Sequence, residues 1–358
     1  MLRKNRLNAV LENMAGMGLG QIIVSDSNAM RYLLECDIEP MERCAAVLIK
    51  DDGSVTAFMN RLFCFAPTEG VSLFEYADGE DVYGMIAAAL RPGKVGFDKD
   101  WPTRHTLGVL GKRSDLIPVL GSPAVDTARM FKDSAEAELL RAAGAVNDRA
   151  IAFGINSVNE TVTEAELSAA IDRFFLQNGG KQVGQYQIAC FGKNAAEPHH
   201  VPDGTTVRPG DAVLLDLFSP INGYWCDMTR TVFYRKVSDR HRDIYNIVRE
   251  AQQAGIDFVK PGVRMCDIDR TVRGVIERAG FGEAFITRTG HGIGMNVHEP
   301  PDVSAACDII ARPGMVFSIE PGIYLPGDIG VRIEDLVLVT ETGCEVLTHY
   351  PKELRILD

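Results

Sequence analysis

One nine-residue phrase occurs twice in the chain and restricts the folds open to it. RPGDAVLLD ends at Asp216, and RPGMVFSIE begins 104 positions after the first copy (312 − 208) and ends at Glu320. In each copy a Pro-Gly pair, typical of a type II turn, precedes an apolar strand that ends on a carboxylate. The near-continuous apolar character of these strands indicates that both faces are covered. A carboxylate on such a strand needs a partner, because burying an isolated charge is too costly.

The likeness extends beyond the phrase to the segments around it. In both passages a helix is followed by histidines, the Pro-Gly turn, the strand with its acid, and a second strand with another acid. The residues are His199, His200, Asp216 and Asp227 in the first passage, and His291, His298, Glu320 and Glu334 in the second. The shared order predicts a duplicated half-domain, two copies of which meet along a pseudo-twofold axis; the copies are too long and too few for a solenoid.

The first part of the chain has a different pattern. An amphipathic helix is predicted over residues 7–17, an apolar strand over 21–25, and a strand pair around the Asp-Asp-Gly turn at 51–53. Asp133 and Glu136 then have capping-box spacing at the start of a long helix. These signals predict a smaller α/β domain over residues 1–128 and a larger domain over 129–358.

Composition excludes several classes of protein. The 358 residues are 46% hydrophobic and 24% charged, and no apolar run reaches the ~18 residues of a membrane span. The N-terminal twenty residues lack the apolar core of a secretory signal, and the eight cysteines lack CxxC spacing, so we expect reduced thiols in a cytoplasmic protein. A net charge of −12 argues against a nucleic-acid partner.

Four acids and one histidine form the candidate site. Taken singly, each residue is more often a solvated acid or a hydrogen-bonded core histidine. Taken together, Asp216, Asp227, Glu320, Glu334 and His291 form an oxygen-rich set that suits two divalent ions, manganese or cobalt before zinc. Two ions that share carboxylates can hold a hydroxide between them, which predicts a hydrolase.

The same residues lie in motifs that resemble a known family. DLFSPINGYWCDMTRT, TGHGIGMNVHEPP, FSIEPGIYLPG and GVRIEDLVLV resemble the motifs of the pita-bread metallopeptidases, the creatinase/prolidase/aminopeptidase P group. The resemblance covers about residues 129 to 350, and GLGQIIVSDSNAMRYLL more weakly resembles the creatinase-type N-terminal domain. It implies an α+β fold in which duplicated α/β half-domains surround a curved antiparallel sheet, preceded by a smaller α/β domain.

The resemblance also implies a role for each site residue. Asp216 would chelate one metal, Asp227 and Glu334 would bridge, and His291 and Glu320 would complete the other metal. Glu320 would also shuttle the proton of a bridging water, while His199 and His298 would bind substrate and stabilise the tetrahedral intermediate.

Three further residues are candidates from their position beside these acids. Arg332, two residues before Glu334 and so on the same face of a strand, would orient the bridging carboxylate of Glu334 or bind substrate. Tyr224 and Thr229 are candidate hydrogen-bond donors near Asp227.

The implied activity is that of a metallo-exopeptidase that cleaves the bond before proline. The N-terminal domain resembles that of the proline-directed members, so we expect an Xaa-Pro aminopeptidase or Xaa-Pro dipeptidase acting on short peptides. Two divalent ions, Mn²⁺ first with Co²⁺ or Zn²⁺ as alternatives, and a homodimer are implied as well.

Two departures from the family pattern bear on the substrate. Phe218 stands where relatives commonly have glycine and could alter the pocket. Asp302 stands where many prolidases have an arginine suited to a dipeptide's C-terminal carboxylate, which weakens the dipeptidase reading; Arg312 is another candidate for that role.

Other functions stay open on the same scaffold. They are a creatinase-like amidinohydrolase, which lacks the metal set, a hydrolase of a non-peptide amide or other small metabolite, and a non-catalytic binding module.

Overall fold

A computed structural model describes residues 2–181 and 186–358 of the chain. Contacts between Cα atoms divide the chain into two compact units, Met1–Arg129 and Met130–Asp358. Among the described residues, no helix combines the length and the apolar composition that crossing a membrane requires. In the same part of the chain all eight cysteines are free.

The first unit is an α/β domain. Its helices are α1 (Lys4–Gly16), α2 (Ser27–Leu34), α3 (Val82–Ala89), α4 (Thr103–Leu110) and α5 (Pro123–Met130), the last of which runs into the boundary. Its strands are β1 (Gln21–Val24), β2 (Ala46–Lys50), β3 (Val55–Asn60), β4 (Val71–Tyr76), β5 (Gly93–Phe97) and β6 (Leu116–Leu120). They form a mixed sheet in the order β4-β3-β2-β1-β5-β6. The predicted helix, strand and strand pair of this region are α1, β1 and the β2–β3 hairpin.

The second unit carries both copies of the repeated phrase. Its helices are α6 (Ser134–Ser157), α7 (Glu164–Gln177), α8 (Asp239–Phe258) and α9 (Met265–Arg278). Its strands are β7 (Ile188–Phe191), β8 (Ala212–Ile221), β9 (Tyr224–Tyr234), β10 (Gly290–Gly292), β11 (Glu299–Val303), β12 (Val316–Ile319), β13 (Gly322–Leu325), β14 (Ile329–Arg332), β15 (Asp335–Val339), β16 (Cys344–Val346) and β17 (Ile356–Leu357).

These strands form two sheets and a separate hairpin. We call the sheet β17-β9-β8-β7 the β8 sheet and the sheet β11-β10-β12-β15-β16 the β12 sheet; β13 and β14 pair with each other. Apart from β17, whose pairing with β9 is parallel, the strands of both sheets pair antiparallel.

Local signals in the sequence account for the ends of several elements. The side chains of Asp133 and Glu136 form a reciprocal capping box at the start of α6, and those of Thr163 and Glu166 do the same for α7. Both Pro-Gly turns close with the predicted geometry, since the glycines have positive φ, +103° at Gly210 and +89° at Gly314. Each turn is also closed by a hydrogen bond from the N–H of its fourth residue to the carbonyl oxygen of its first residue. The N···O distance is 3.0 Å from Asp211 to Arg208 and 3.2 Å from Met315 to Arg312.

Each sheet of the second unit packs one face against its own pair of helices. Val213, Leu215 and Leu217 of β8 join the core cluster of α6 and α7. Phe317 and Ile319 of β12 join the core cluster of α8 and α9. Successive side chains of a strand point to opposite faces. Asp216 and Phe218 on β8, and Ser318 and Glu320 at β12, therefore point away from the helices.

Candidate metal centre

The first two acids of the candidate site belong to the β8–β9 hairpin. Asp216 lies inside β8, with Thr229 of β9 as its cross-strand partner. Asp227 lies on β9, opposite Phe218 of β8. Because directly opposed residues of an antiparallel pair project from the same face, Asp216 and Asp227 share the face that points away from α6 and α7. Both carboxylates are buried.

The remaining three residues come from the second copy of the pattern. His291 is the central residue of β10, and Glu320 follows the last residue of β12. Glu334 lies between β14 and β15. The prediction that one strand carries both Arg332 and Glu334 is therefore wrong. The chain leaves the β13–β14 hairpin after Arg332 and enters the β12 sheet at Asp335. Glu334 stays close to β9 because its N–H donates to the carbonyl oxygen of Thr229 at 3.1 Å.

These five residues meet at one cavity of about 340 Å³. The Nε2 atom of His291 lies 3.7 Å from Oδ2 of Asp227 and 3.4 Å from Oε1 of Glu320. One ligand atom each from Asp227, His291 and Glu334 lie within 4.8 Å of one another, and Asp216 and Glu320 line the same cavity. Residues more than one hundred positions apart in sequence therefore line the same small cavity.

The hydrogen bonds of the acids leave one side of the centre open for cations. Among the described residues, Oδ1 of Asp216, Oδ1 of Asp227 and Oε1 of Glu334 are buried and have no hydrogen-bond partner. Their second oxygens are in part occupied, since Arg332 donates to Oδ2 of Asp216 at 2.6 Å and Thr229 donates to Oε2 of Glu334 at 2.7 Å. Buried carboxylate oxygens without donors need positive charge, and oxygen ligands with one imidazole suit divalent ions such as Mn²⁺. The residues present therefore fit the metal ions that the resemblance implies.

His291 has the form that a metal ligand requires. Its Nδ1 lies 3.1 Å from the carbonyl oxygen of Gly292, to which Nδ1–H donates in the tautomer that leaves a lone pair on Nε2. Burial, followed by the neighbouring charges of His298 and Arg288, lowers the pKa of His291 to about 3. The imidazole is therefore neutral at physiological pH.

Crowding raises the proton affinity of the acids. Burial, followed by the charges of Glu334, Asp216 and Glu320, raises the pKa of Asp227 well above its usual range. Burial, followed by the charges of Glu320 and Asp216, raises the pKa of Glu334 too. Burial raises the pKa of Glu320 to about 7, with Arg332 opposing the shift and Asp216 adding to it. Without metal, the centre therefore retains protons up to neutral pH.

Arg332 lies behind Asp216 and away from the open space. Its guanidinium is buried and also donates to Oγ1 of Thr229 at 3.0 Å and to the hydroxyl of Tyr324 at 2.7 Å. It is not among the described residues that line the cavity. Its hydrogen bond to a site acid goes to Asp216, whereas Oε2 of Glu334, the bridging carboxylate it was predicted to orient, accepts from Thr229. The predicted orienting of Glu334 and the predicted contact with substrate both stay predictions.

Ser318, which was not predicted as a site residue, hydrogen-bonds to two of the candidate ligands. Ser318 accepts a hydrogen bond from the N–H of His291 at 3.0 Å and donates to Oε1 of Glu320 at 3.2 Å. Ser318 is two residues before Glu320 on an otherwise apolar strand, a period-2 signal that could have identified it from sequence. No such signal marks Tyr324, whose hydroxyl accepts a hydrogen bond from Arg332 at 2.7 Å. Tyr224, which was predicted as a donor near Asp227, donates to Glu136 at 2.7 Å.

His199 and His298 both line the cavity. The rings of His298 and His291 meet edge to face, with centroids 4.2 Å apart and planes at 81°. Burial, followed by the charge of Arg288, lowers the pKa of His298. Both histidines that were predicted to contact substrate thus border the space in front of the acids.

The segment that carries His199 is fixed by a buried carboxylate. Glu164, the first residue of α7, is fully buried and accepts hydrogen bonds from the N–H of Phe191 and from the amide of Asn194. The Nε2 atom of His200 lies 3.2 Å from the same carboxylate. This network explains why His200 turns away from the cavity while its neighbour His199 lines it.

Arg312, the candidate for binding a substrate carboxylate, and Arg288, which lies near His291 in sequence, have other contacts. Arg288 donates to Asp302 at 2.5 Å, and Asp302 is the cross-strand partner of His291. The guanidinium carbon of Arg312 lies 4.5 Å from the ring centre of Phe131. Neither arginine is among the described residues that line the cavity.

Comparisons with known proteins agree with this arrangement. The model of metallopeptidase family M24 matches residues 138–341, more than half of the chain, and the model of the creatinase/prolidase N-terminal domain matches residues 6–131. An Xaa-Pro dipeptidase of Lactobacillus delbrueckii subsp. lactis is 45% identical over 352 residues, which are 95% of each chain. An Xaa-Pro dipeptidase of Lactobacillus helveticus is 36% identical over 93% of this chain and 94% of its own.

The solved structures show the same likeness in three dimensions. Recombinant prolidase from Thermococcus sibiricus superposes with a TM-score of 0.92 at 31% identity and covers 100% of both chains. The predicted fold class is thereby confirmed: a creatinase-type N-terminal domain precedes a pita-bread domain with a curled antiparallel sheet.

Proposed function

The chain belongs to metallopeptidase family M24 and is a metallo-exopeptidase, and from this premise we propose that it hydrolyses the bond between an N-terminal residue and a following proline in short peptides. The observation that carries the proposal is the convergence of five metal-ligand side chains, three of them with orphaned buried oxygens, on one cavity. The Xaa-Pro specificity rests on the names of the relatives that are similar over nearly the whole chain.

We propose that Asp216, Asp227, His291, Glu320 and Glu334 hold two divalent ions, Mn²⁺ before Co²⁺ or Zn²⁺. The oxygen-rich donor set and the neutral imidazole support this assignment. Such ions, when bound, supply Lewis acidity that activates a water and polarises the scissile carbonyl.

Glu320 is proposed to move the proton of the reaction. Its carboxylate lines the cavity beside the other acids, where it can accept a proton from the attacking water and deliver it to the proline nitrogen that leaves. The hydroxyl of Ser318 donates to one of its oxygens and so limits the orientations of the carboxylate.

His199 and His298 are proposed to bind the substrate carbonyl group. The lowered pKa of His298 keeps its ring neutral near pH 7, where its N–H can donate to an oxyanion without a proton having to be taken up first. Arg332 is proposed to act through Asp216, whose carboxylate it orients.

The length of the substrate is the finer part of the proposal. The relatives are named as dipeptidases, which favours Xaa-Pro dipeptides. Arg288 is paired with Asp302 and so is not a free cation for the C-terminal carboxylate, which favours longer peptides. We propose the dipeptidase activity first, with the aminopeptidase activity as the alternative.

The test is hydrolysis of Ala-Pro, Ala-Pro-Ala and Ala-Ala-Ala by the Mn²⁺-loaded protein, with a chelator-treated sample as the control. Faster cleavage of Ala-Pro supports a dipeptidase, and faster cleavage of Ala-Pro-Ala supports an aminopeptidase. Chelation is expected to abolish turnover and Mn²⁺ to restore it. No cleavage of any peptide would overturn the proposal in favour of a non-peptide substrate or a binding function.

A homodimer and a cytoplasmic location, both expected at the outset, are proposals too. Light scattering on the eluate of a size-exclusion column measures the first, and fractionation of cells measures the second.

A further inference from the structure

The cavity has an apolar side as well as a charged one. Beside the acids and histidines it is lined by Tyr186, Ile188, Phe218 and Val297. We call Tyr186, Ile188 and Phe218 the apolar wall. Phe218 and Ile188 pack in one cluster with the buried side chains of Cys190, Ala195 and Leu214, so this wall continues into the interior of the unit.

The register of the β8 sheet puts the apolar wall against the acids. Ile188 of β7 is the cross-strand partner of Asp216, and Phe218 of β8 is the partner of Asp227. Phe218 also follows Asp216 by two positions, so all four side chains project from one face. Side chains directly opposed in this way have Cβ atoms about 4.5–5.5 Å apart. The side chains of Phe218 and Ile188 are therefore next to any group bound at the two aspartates.

The backbone that carries the ring of Phe218 is held in place by hydrogen bonds. The side chain of Gln187 clamps its backbone: Phe218 N–H donates to Oε1 of Gln187 and Nε2 of Gln187 donates to the Phe218 carbonyl, both at 3.0 Å. Gln187 is itself buried and donates to Asp172 at 2.9 Å. On the other side, the ring of Trp225 lies 6.3 Å from that of Phe218, centre to centre. The wall is thus a preformed surface.

We propose that Phe218 determines specificity for the first residue of the substrate by receiving its apolar side chain. This inference rests on the proposed function and adds to it that the free amine of the substrate lies near the carboxylates. The amine and the side chain of that residue branch from the same Cα, so a side chain whose amine lies near Asp216 and Asp227 reaches the apolar wall. The proline ring lies beyond the scissile carbonyl and is therefore further from the apolar wall than the first side chain is. The substrates favoured are those whose first residue is aliphatic, such as leucine, over glycine or glutamate.

The experiment compares Gly-Pro, Leu-Pro and Glu-Pro with the Mn²⁺-loaded parent enzyme, Phe218→Ala and Phe218→Leu. For the parent, kcat/KM for Leu-Pro is expected to exceed that for Gly-Pro by at least about tenfold, because one methylene in a hydrophobic pocket already contributes about 10–200-fold. In Phe218→Ala the ratio of kcat/KM for Leu-Pro to that for Gly-Pro is expected to fall below about three. The fall comes from a higher KM for Leu-Pro, while kcat/KM for Gly-Pro is little changed. Phe218→Leu should retain most of the preference.

Phe174→Ala is the matched control. It removes another half-buried ring, stacked on Phe153 in a different cluster, and should leave the Leu-Pro to Gly-Pro ratio unchanged. Mn²⁺ affinity measured by calorimetry should be the same in the parent and in all three variants.

Two results would overturn the assignment of Phe218 and leave the proposed function intact. One is an unchanged ratio in Phe218→Ala; the other is an equal loss for every substrate, which would mean that the ring contacts proline or only supports the fold. Absence of all Xaa-Pro cleavage by the parent would overturn the proposed function together with this inference.

Discussion

Glu320 shows how a single carboxylate acquires its chemistry from its surroundings. It ends an apolar strand, and the same burial that makes the strand stable raises the pKa of the side chain to about 7. This pKa is that of the metal-free protein, in which the carboxyl keeps a proton up to about neutral pH. Position along the strand and reactivity are thus linked through desolvation.

Glu320→Gln is expected to keep the fold and reduce kcat by roughly 10²–10⁴-fold, because the amide cannot exchange a proton with substrate or water. Steady-state kinetics on Ala-Pro, with metal content measured in the same samples, tests this. Activity within a fewfold of the parent at equal metal content would contradict the proton-transfer role.

The same substitution isolates a dependence of stability on pH. In the metal-free protein the folded-state pKa of Glu320 is raised from an ordinary 4.5 to about 7, so its stabilising contribution is present below 4.5 and is lost as pH rises to 7. The free energy of unfolding of the parent, minus that of Glu320→Gln, should therefore fall over this window, by about 3 kcal/mol at most. Urea unfolding of both metal-free proteins at pH 5 and pH 8 measures the difference, and a rise would contradict the raised pKa.

Strand pairing places the ligands, and the strands approach closely where His291 lies. A Cβ added to Gly290 would lie 1.9 Å from the carbonyl oxygen of Ser318, so only glycine lets β10 reach β12 at this point. His291 follows directly, and its N–H donates to Ser318. The position of the imidazole therefore depends on a residue that has no side chain.

Gly290→Ala is expected to force β10 away from β12, to weaken Mn²⁺ binding and to cost about 1–3 kcal/mol of stability through overpacking. Calorimetric titration of Mn²⁺ and thermal unfolding test both effects. Gly343→Ala is the control, because nothing lies within 4 Å of the added Cβ. Equal behaviour of the two variants would contradict the role of Gly290.

A buried ion pair joins β9 to β15 behind the metal centre. Arg230 donates to the carbonyl oxygens of Thr229 at 2.9 Å and Glu334 at 2.6 Å, and to the carboxylate of Asp335 at 2.6 Å. Burial alone would raise the pKa of Asp335, but the charges of Arg230 and Lys352 hold it below its usual value. The backbone of Glu334 is thereby fixed to the strand that carries Asp227.

Arg230→Met is expected to destabilise the protein by about 3–5 kcal/mol, because it leaves Asp335 short of buried positive charge. Arg270→Met, which removes an exposed partner of Asp267, should cost about 0–1 kcal/mol. Urea unfolding of both variants measures the contrast. A loss below 1 kcal/mol for Arg230→Met would show that the pair contributes little.

At the scale of the whole molecule, metal binding couples folding to proton release. The raised pKa values of Asp227, Glu334 and Glu320 mean that metal ions must displace protons from the folded, metal-free protein. A ligand that binds only the folded state at a free concentration 100 times its Kd adds about 2.7 kcal/mol of stability.

Mn²⁺ is therefore expected to raise the Tm and to release protons on binding, more at pH 6.5 than at pH 8. Calorimetric titration at each pH, in two buffers of different ionisation enthalpy, gives the number of protons. A binding enthalpy that does not depend on the buffer at pH 6.5 would contradict protonation of the metal-free centre.

The predicted domain boundary near residue 128 also stays a prediction, and limited proteolysis followed by mass spectrometry would test it.

The sequence by itself determined the local features of this protein. The capping boxes of α6 and α7, the two Pro-Gly turns and the strands that carry the acids depend on interactions among residues a few positions apart. The residue types of the metal set could be predicted as well, because a carboxylate on an apolar strand is costly unless a cation pairs with it.

Only the tertiary structure decided how these features meet. The contact of Arg332 with Asp216 spans 116 positions, and the break after Arg332 leaves Glu334 between two strands that belong to different sheets, β14 and β15. The Arg288–Asp302 pair and the register that sets Phe218 beside Asp216 and Asp227 are likewise products of strand pairing. Short-range geometry is encoded by neighbouring residues, whereas distances across a site result from the packing of distant segments.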